Sequence, residues 1–139
     1  LSVEKKLFVE TNNGTNRQIR PVTPEQPLRI GDKVIVRLTI RTDREMNYVF
    51  LKDLRAGCFE PADQLSGPES RDGIWYYRSP KDVSENFFIN RLPEGTFVLE
   101  YPVYVSRSGE YAGGISTIQC MYAPEFVSHT AGESLRIMP

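Results

Sequence analysis

Cys120 and His129, one of two cysteines and the only histidine in a chain of 139 residues, stand nine positions apart in ISTIQCMYAPEFVSHT. A thiol and an imidazole are the parts of a cysteine nucleophile with its base. That chemistry needs a thiolate activated by an adjacent imidazole, normally with the cysteine at the start of a helix whose dipole lowers its pKa. The flanking residues point elsewhere. Two-residue alternation places Cys120 inside a strand, on the face of Ile118 and Tyr122, where it acts as a small apolar side chain. His129 follows the turn at Pro124 and sits between Ser128 and Thr130, in a stretch expected to be exposed.

Cys58 opens CFEP, one residue away from Cys-x-Glu-Gln, the sequence in which a cysteine sulfur and a glutamine side chain close an internal thioester. Pro61 stands where that glutamine must be, so CFEP reads as a strand end followed by a proline turn. Two cysteines are too few for a disulfide scaffold, although Cys58 and Cys120 are able to form one bridge in an oxidising compartment. One histidine and two distant cysteines do not supply a metal's ligands, and no cofactor is expected. The carboxylates Asp43 and Glu45 fall in a turn and read as solvated, with too few oxygen ligands for calcium. GEYAGG lacks the Lys-Ser/Thr pair of a phosphate-binding loop. Asn13–Thr15 spells a glycosylation acceptor and equally a tight turn, and the turn is expected.

The best candidate for an interaction surface is WYY, Trp75, Tyr76 and Tyr77, because clustered Trp and Tyr bury a ring while hydrogen-bonding its polar edge. Trp75 and Tyr77 share one face of an alternating strand, and packing into the core is the stronger expectation for that face.

These residues must be positioned by strands. KVIVRLTIR places Val34, Val36, Leu38 and Ile40 on one face, with Lys33, Arg37, Thr39 and Arg41 on the other beside Ile35. NYVFLKDL is apolar on both faces, as a central strand is. GTFVLEYPVYV aligns Phe97, Leu99, Tyr101, Val103 and Val105, and Pro102 suggests an edge or bulge. GIWYYR, ENFFIN, GISTIQCMY, LSVEKKLFVE and ESLRIM complete a count of about eight strands. Gly- and Pro-containing turns at this spacing predict an all-β, two-sheet antiparallel β-sandwich with little helix. Residues 1–26 are expected to hold an N-terminal strand and a polar crossover or linker through Pro21 and Pro24, and 27–139 the sandwich, as one compact domain overall.

Composition bounds the rest. Seventeen Lys and Arg balance 18 Asp and Glu, so there is no basic stripe for nucleic acid. No apolar run approaches the roughly 18 to 20 residues of a membrane helix. Charges at positions 4 to 6 stand where a signal peptide needs an apolar run, so the chain reads as a piece excised from a longer one.

Taken together, YVFLKDLRAGCFEP, FFINRLPEGTFVLEY and MYAPEF, spread over residues 27–137, resemble the C-terminal domain of bacterial alpha-2-macroglobulin family proteins, particularly those of Bacteroidetes. The resemblance is to an MG10-like domain, equivalent in position to the receptor-binding domain of the animal proteins. It implies a macroglobulin-like β-sandwich in a long periplasmic or cell-envelope chain, lipid-anchored in many members. Such a chain is a broad-spectrum protease inhibitor, in which upstream domains carry a cleavable bait segment and, in some members, a thioester. For this chain it implies a non-catalytic module with neighbouring macroglobulin-like domains as partners and target proteases met through the parent, expected to shield or position the thioester region. No catalytic residue carries over. The alternative is an extracytoplasmic carbohydrate-binding or adhesion sandwich that uses WYY as a stacking platform.

Overall fold

The computed structural model describes residues 1–13, 16–23, 25–62, 67–71, 73–81, 83–123, 125–132 and 134–139, with backbone alone at 12, 13, 16, 17 and 67–71. The turn or acceptor at Asn13–Thr15 and the turn around Pro124 therefore lie only in part within the described residues, and Pro24 and Pro124 themselves lie outside them.

Fourteen strands make up the described secondary structure. The first sheet contains β1 (Ser2–Asn13), β2 (Asn16–Pro21), β4 (Lys33–Thr42), β6 (Phe59–Pro61) and β10 (Gly95–Val105), in the order β2-β1-β4-β10-β6. The second contains β5 (Met46–Leu54), β7 (Gly67–Arg71), β8 (Ile74–Pro80), β9 (Ser84–Leu92), β12 (Ser116–Cys120) and β13 (Val127–His129), ordered β13-β12-β5-β9-β8-β7. A small third sheet joins β11 (Gly109–Ala112), β14 (Ser134–Met138) and β3 (Leu28–Arg29), and only its β14–β3 pair is parallel.

Alternation explains the core. Val34, Val36, Leu38 and Ile40 of β4, and Phe97, Leu99, Tyr101, Val103 and Val105 of β10, face Val49 and Leu51 of β5, Phe87 and Ile89 of β9 and Ile118 of β12. Each such Val, Leu, Ile or Phe contributes about 1.5–3 kcal/mol by leaving water. The remaining faces of the first sheet carry ion pairs: Lys33–Glu10 at 2.8 Å, Arg41–Glu4 at 3.4 Å and Arg37–Glu100.

The fold departs from expectation in three places. The polar stretch expected as a crossover holds β2, a hairpin partner of β1, while β1 pairs along nine residues with β4 and sends Val3 and Val9 into the common core. An edge strand has no buried row to mark it, so β2 carries no alternation signal. CFEP is not a strand end: Cys58 lies in the turn before β6, and Pro61 pairs with Val103, a position an edge strand tolerates because only one side is hydrogen-bonded. Along β5 the apolar phase slips by one at Tyr48, whose φ of 58° is left-handed; Met46 and Val49 both point inward, and β9 slips in step with Ile89 and Leu92.

Candidate functional site

The cysteine and histidine are not brought together as a reactive pair. Cys120 is buried at the end of β12 and its thiol donates to the Asn47 carbonyl at 3.3 Å. His129 is exposed on β13, opposite Thr117, on the wall of a cleft of about 1010 Å³ between β1 and β14 that neither cysteine lines. Tyr122 does not share the buried face of Ile118 and Cys120. The strand stops at Cys120, alternation lapses in the turn that follows, and Tyr122 is 79% exposed with its ring edge-on to Tyr48 at 5.0 Å. Both cysteines are free thiols, and burial pushes the Cys58 thiol above its ordinary pKa, away from the thiolate. Asp43 and Glu45 do not converge either. Asp43 is held below its ordinary pKa by its hydrogen bonds with Arg44, and Glu45 pairs with Arg91. Among the described residues no group of three or more His, Cys, Asp or Glu side chains is placed to hold a metal ion.

The chemically dense region is one that motif reading passes over, a polar row inside the sandwich. Ser116, Asp53 and Glu85 lie side by side on the inner face of the second sheet, fixed by the registers Ser116↔Asp53 and Asp53↔Glu85. Asp53, fully buried, accepts from Lys5 Nζ at 2.7 Å, from Ser116 Oγ at 2.6 Å and from the Tyr101 hydroxyl. Lys5 also donates to the carbonyls of Gly114 at 3.1 Å and Leu54 at 3.3 Å, so one ammonium on β1 fastens the first sheet to the second. Glu85, also fully buried, pairs with Arg55 at 2.8 Å and with Arg78. Burial pushes the Glu85 carboxyl above its ordinary pKa, while Arg78 and then Arg55 pull it back. Tyr101 is held protonated well above its ordinary pKa, by burial first and by the Asp53 charge next.

Two adjacent carboxyls suit acid–base chemistry only if a substrate reaches them. These are spent on internal partners and closed to solvent: Asp53 works as an inter-sheet clasp through Lys5 and Tyr101, and Glu85 ties Arg55 and Arg78 on the second sheet's own side. Its sequence signal was available. Asp53 shares a face with Val49 and Leu51, Glu85 with Phe87 and Ile89, and Arg78 with Ile74 and Tyr76, so each is a charge on an apolar row.

The aromatic triplet divides between two faces. Tyr76 points into the core against the Phe87 ring at 5.7 Å and is withdrawn from any surface. Trp75 and Tyr77 do share a face, but it is the outer one. They are 71% and 48% exposed, which overturns the core packing expected for them. Alternation couples Trp75 to Tyr77 without saying which side is inward; the β9 row that carries Phe87 decides it, because Tyr76 meets that row inside the sandwich. The outer face continues across the sheet through the registers Tyr77↔Phe88, Phe88↔Phe50, Phe50↔Gln119 and Gln119↔Val127. Phe50 and Phe88 stack at 4.8 Å.

Comparison with known proteins follows the same outline. The sequence pattern described as Bacterial Alpha-2-macroglobulin MG10 domain matches residues 1–125. Among solved structures, the fold is similar to part of Salmonella alpha-2-macroglobulin mutant Y1175G, with TM-score 0.75, 20% identity, and 99% of this chain but 9% of that chain covered. It is similar in the same way to trypsin-activated alpha-2-macroglobulin from Escherichia coli, with TM-score 0.74, 16% identity, and coverage of 99% and 10%. A curated relative, Circularly permutated Ras protein 2 of Dictyostelium discoideum, is 28% identical over 109 residues, which are 78% of this chain and 3% of that protein.

Proposed function

The chain belongs to the bacterial alpha-2-macroglobulin MG10 domain family, and we propose that it serves as a non-catalytic structural and interaction module of a bacterial alpha-2-macroglobulin-like protease trap. The observation that carries this reading is the family match over residues 1–125, joined to a fold that matches, along 99% of its length, a part of proteins about ten times as long. The site geometry supports it. Asp53 fastens the two sheets together and Glu85 is taken up by Arg55 and Arg78, and the residues left on the surface are suited to contact. In this reading the domain lies toward the C-terminal end of its parent, in the periplasm or cell envelope of a Bacteroidetes-type bacterium, with the parent lipid-anchored. Among the described residues no helix is long and apolar enough to cross a membrane. Neighbouring macroglobulin-like domains are its direct partners, and target proteases reach it through the parent.

The test uses the full-length parent with a broad-specificity peptidase. Cleavage of a protein substrate is expected to fall as parent is added, with no peptide hydrolysis by the parent itself. A parent that leaves protein cleavage untouched overturns the reading.

A further inference from the structure

One side of β1 is covered along only part of its length. On one flank β4 pairs with it from Ser2 to Glu10, whereas on the other β2 reaches it only from Phe8 onward, with a last bond from the Val22 amide to the Leu7 carbonyl at 3.1 Å. That bond fixes which way the backbone points. In an antiparallel strand the N–H and C=O of one residue lie on one flank and those of the next residue on the other. Val3 and Lys5 therefore turn theirs, like Leu7, away from β4, and among the described residues no strand pairs with them there. Both residues line the cleft between β1 and β14. The far wall has the same character. β3 pairs with β14 only at Ile137 and Met138, so Ser134, which also lines the cleft, lies beyond that pairing.

We propose that this cleft binds an extended peptide of another polypeptide by antiparallel strand addition to β1. Unpaired N–H and C=O groups at strand spacing are complementary to a further strand, which they hold by main-chain hydrogen bonds while pockets choose its side chains. The walls decide what kind of strand enters. A strand already set in a sheet brings a neighbour on its other flank, where β14 stands, so the edge of a folded domain does not fit. A second copy fails for the same reason, because its own β1 edge is recessed in an identical cleft. A single segment free on both flanks fits. The open stretch Ser2–Lys6 is about 17 Å long at the usual strand rise, and the cleft of about 1010 Å³ stands at the upper end of the roughly 300–1,000 Å³ of ligand sites. Peptide side chains opposite Val3 and Lys5 share their inward face, on the side of Leu7, Val22 and Leu135, apolar residues that line the cleft and pack on the core. Glu4 and Glu110 balance Lys6 and Arg136 around it, and Lys5 is neutralised by Asp53. The charge that suits this balance is none, so the ligand is an uncharged peptide, apolar at alternate positions.

Titration of the full-length parent into the fluorescein-labelled peptide Thr-Val-Thr-Val-Thr-amide, followed by anisotropy, tests the proposal. Half-saturation is expected below about 1 mM. Amide exchange at Val3 and Lys5, read by mass spectrometry with electron-transfer fragmentation, is expected to slow several-fold once the peptide is bound. In antiparallel addition the N–H groups of the inward-facing valines point at β1. N-methylation of both valines should therefore weaken binding by at least about tenfold, the equivalent of one or two main-chain bonds, while N-methylation of the central threonine should change it far less. No binding in the millimolar range overturns the site. Equal loss from both modified peptides, or no loss from either, overturns strand addition to β1, and binding that leaves exchange at Val3 and Lys5 unchanged places the peptide elsewhere with the same consequence. Val3 and Lys5 amides that are already protected before peptide is added assign the edge to the parent's own chain or to a second copy, and overturn an external ligand. Each of these outcomes is read whether or not the parent inhibits a peptidase, so failure of the cleft and failure of the trap reading are told apart.

Discussion

Removing the Asp53 carboxylate leaves the Lys5 ammonium and the hydroxyls of Tyr101 and Ser116 facing one another without their shared acceptor. Breaking a buried pair from one side costs about 3–5 kcal/mol, because the remaining charge stays desolvated. Asp53→Ala is therefore expected to lower the urea midpoint of the domain by that free energy. A loss under about 1 kcal/mol, the range of exposed pairs, would show that the clasp is solvated. Tyr101 sets a pH dependence. Its folded-state pKa lies above its ordinary 10.0, so the folded chain keeps a proton that the unfolded chain releases. The stability it contributes is complete below pH 10.0 and is lost as pH rises further, with Cys58 adding the same sign from 9.0 upward. Stability measured by urea titration from pH 8 to 11 should fall at the alkaline end. Tyr101→Phe should be less stable than wild type at neutral pH and should lose stability less steeply at the alkaline end. The charges on apolar rows were legible in the sequence as anomalies, but their partners were not, because Lys5 meets Asp53 across 48 residues and two sheets.

At the scale of elements, the connection from β11 to β12 crosses the end of β5 at close range. A Cβ on Gly114 would sit 1.5 Å from the Leu54 carbonyl oxygen, at the point where Ile115 accepts from the Leu54 amide and Gly114 from Lys5. Backbone cannot yield as a flexible side chain does. Gly114→Ala is expected to cost more than about 4 kcal/mol or to prevent folding, read as a thermal melt. An unchanged melt would place that crossing elsewhere. The strands β1, β4, β5, β8, β9, β10, β12 and β14 were legible because each carries, over at least part of its length, a buried row of two-residue period. The others, β2, β3, β6, β7, β11 and β13, are short, or lie at edges, or both. Their existence depends on the neighbour that hydrogen-bonds them, and local sequence does not name that neighbour. The slip at Tyr48 was hidden for a related reason, since two strands shift phase together and neither run looks broken by itself.

At the scale of the whole molecule, the motifs that resembled a macroglobulin domain lie in the strands and turns that build the second sheet and its link to the first. That is why family and fold were legible while the surface was not. WYY announced an interaction surface, yet only the assembled sandwich shows Tyr76 inside and Trp75 with Tyr77 outside, continuous with Phe88 and Phe50. In the proposed reading the module works through contact with its neighbours. The measurement that bears on this most directly compares the intact parent with a parent from which residues 1–139 have been deleted, in their inhibition of a broad-specificity peptidase on a protein substrate. The intact parent is expected to inhibit and the deleted one to lose most of that inhibition, whereas undiminished inhibition by the deleted parent would contradict a working part in the trap for this domain.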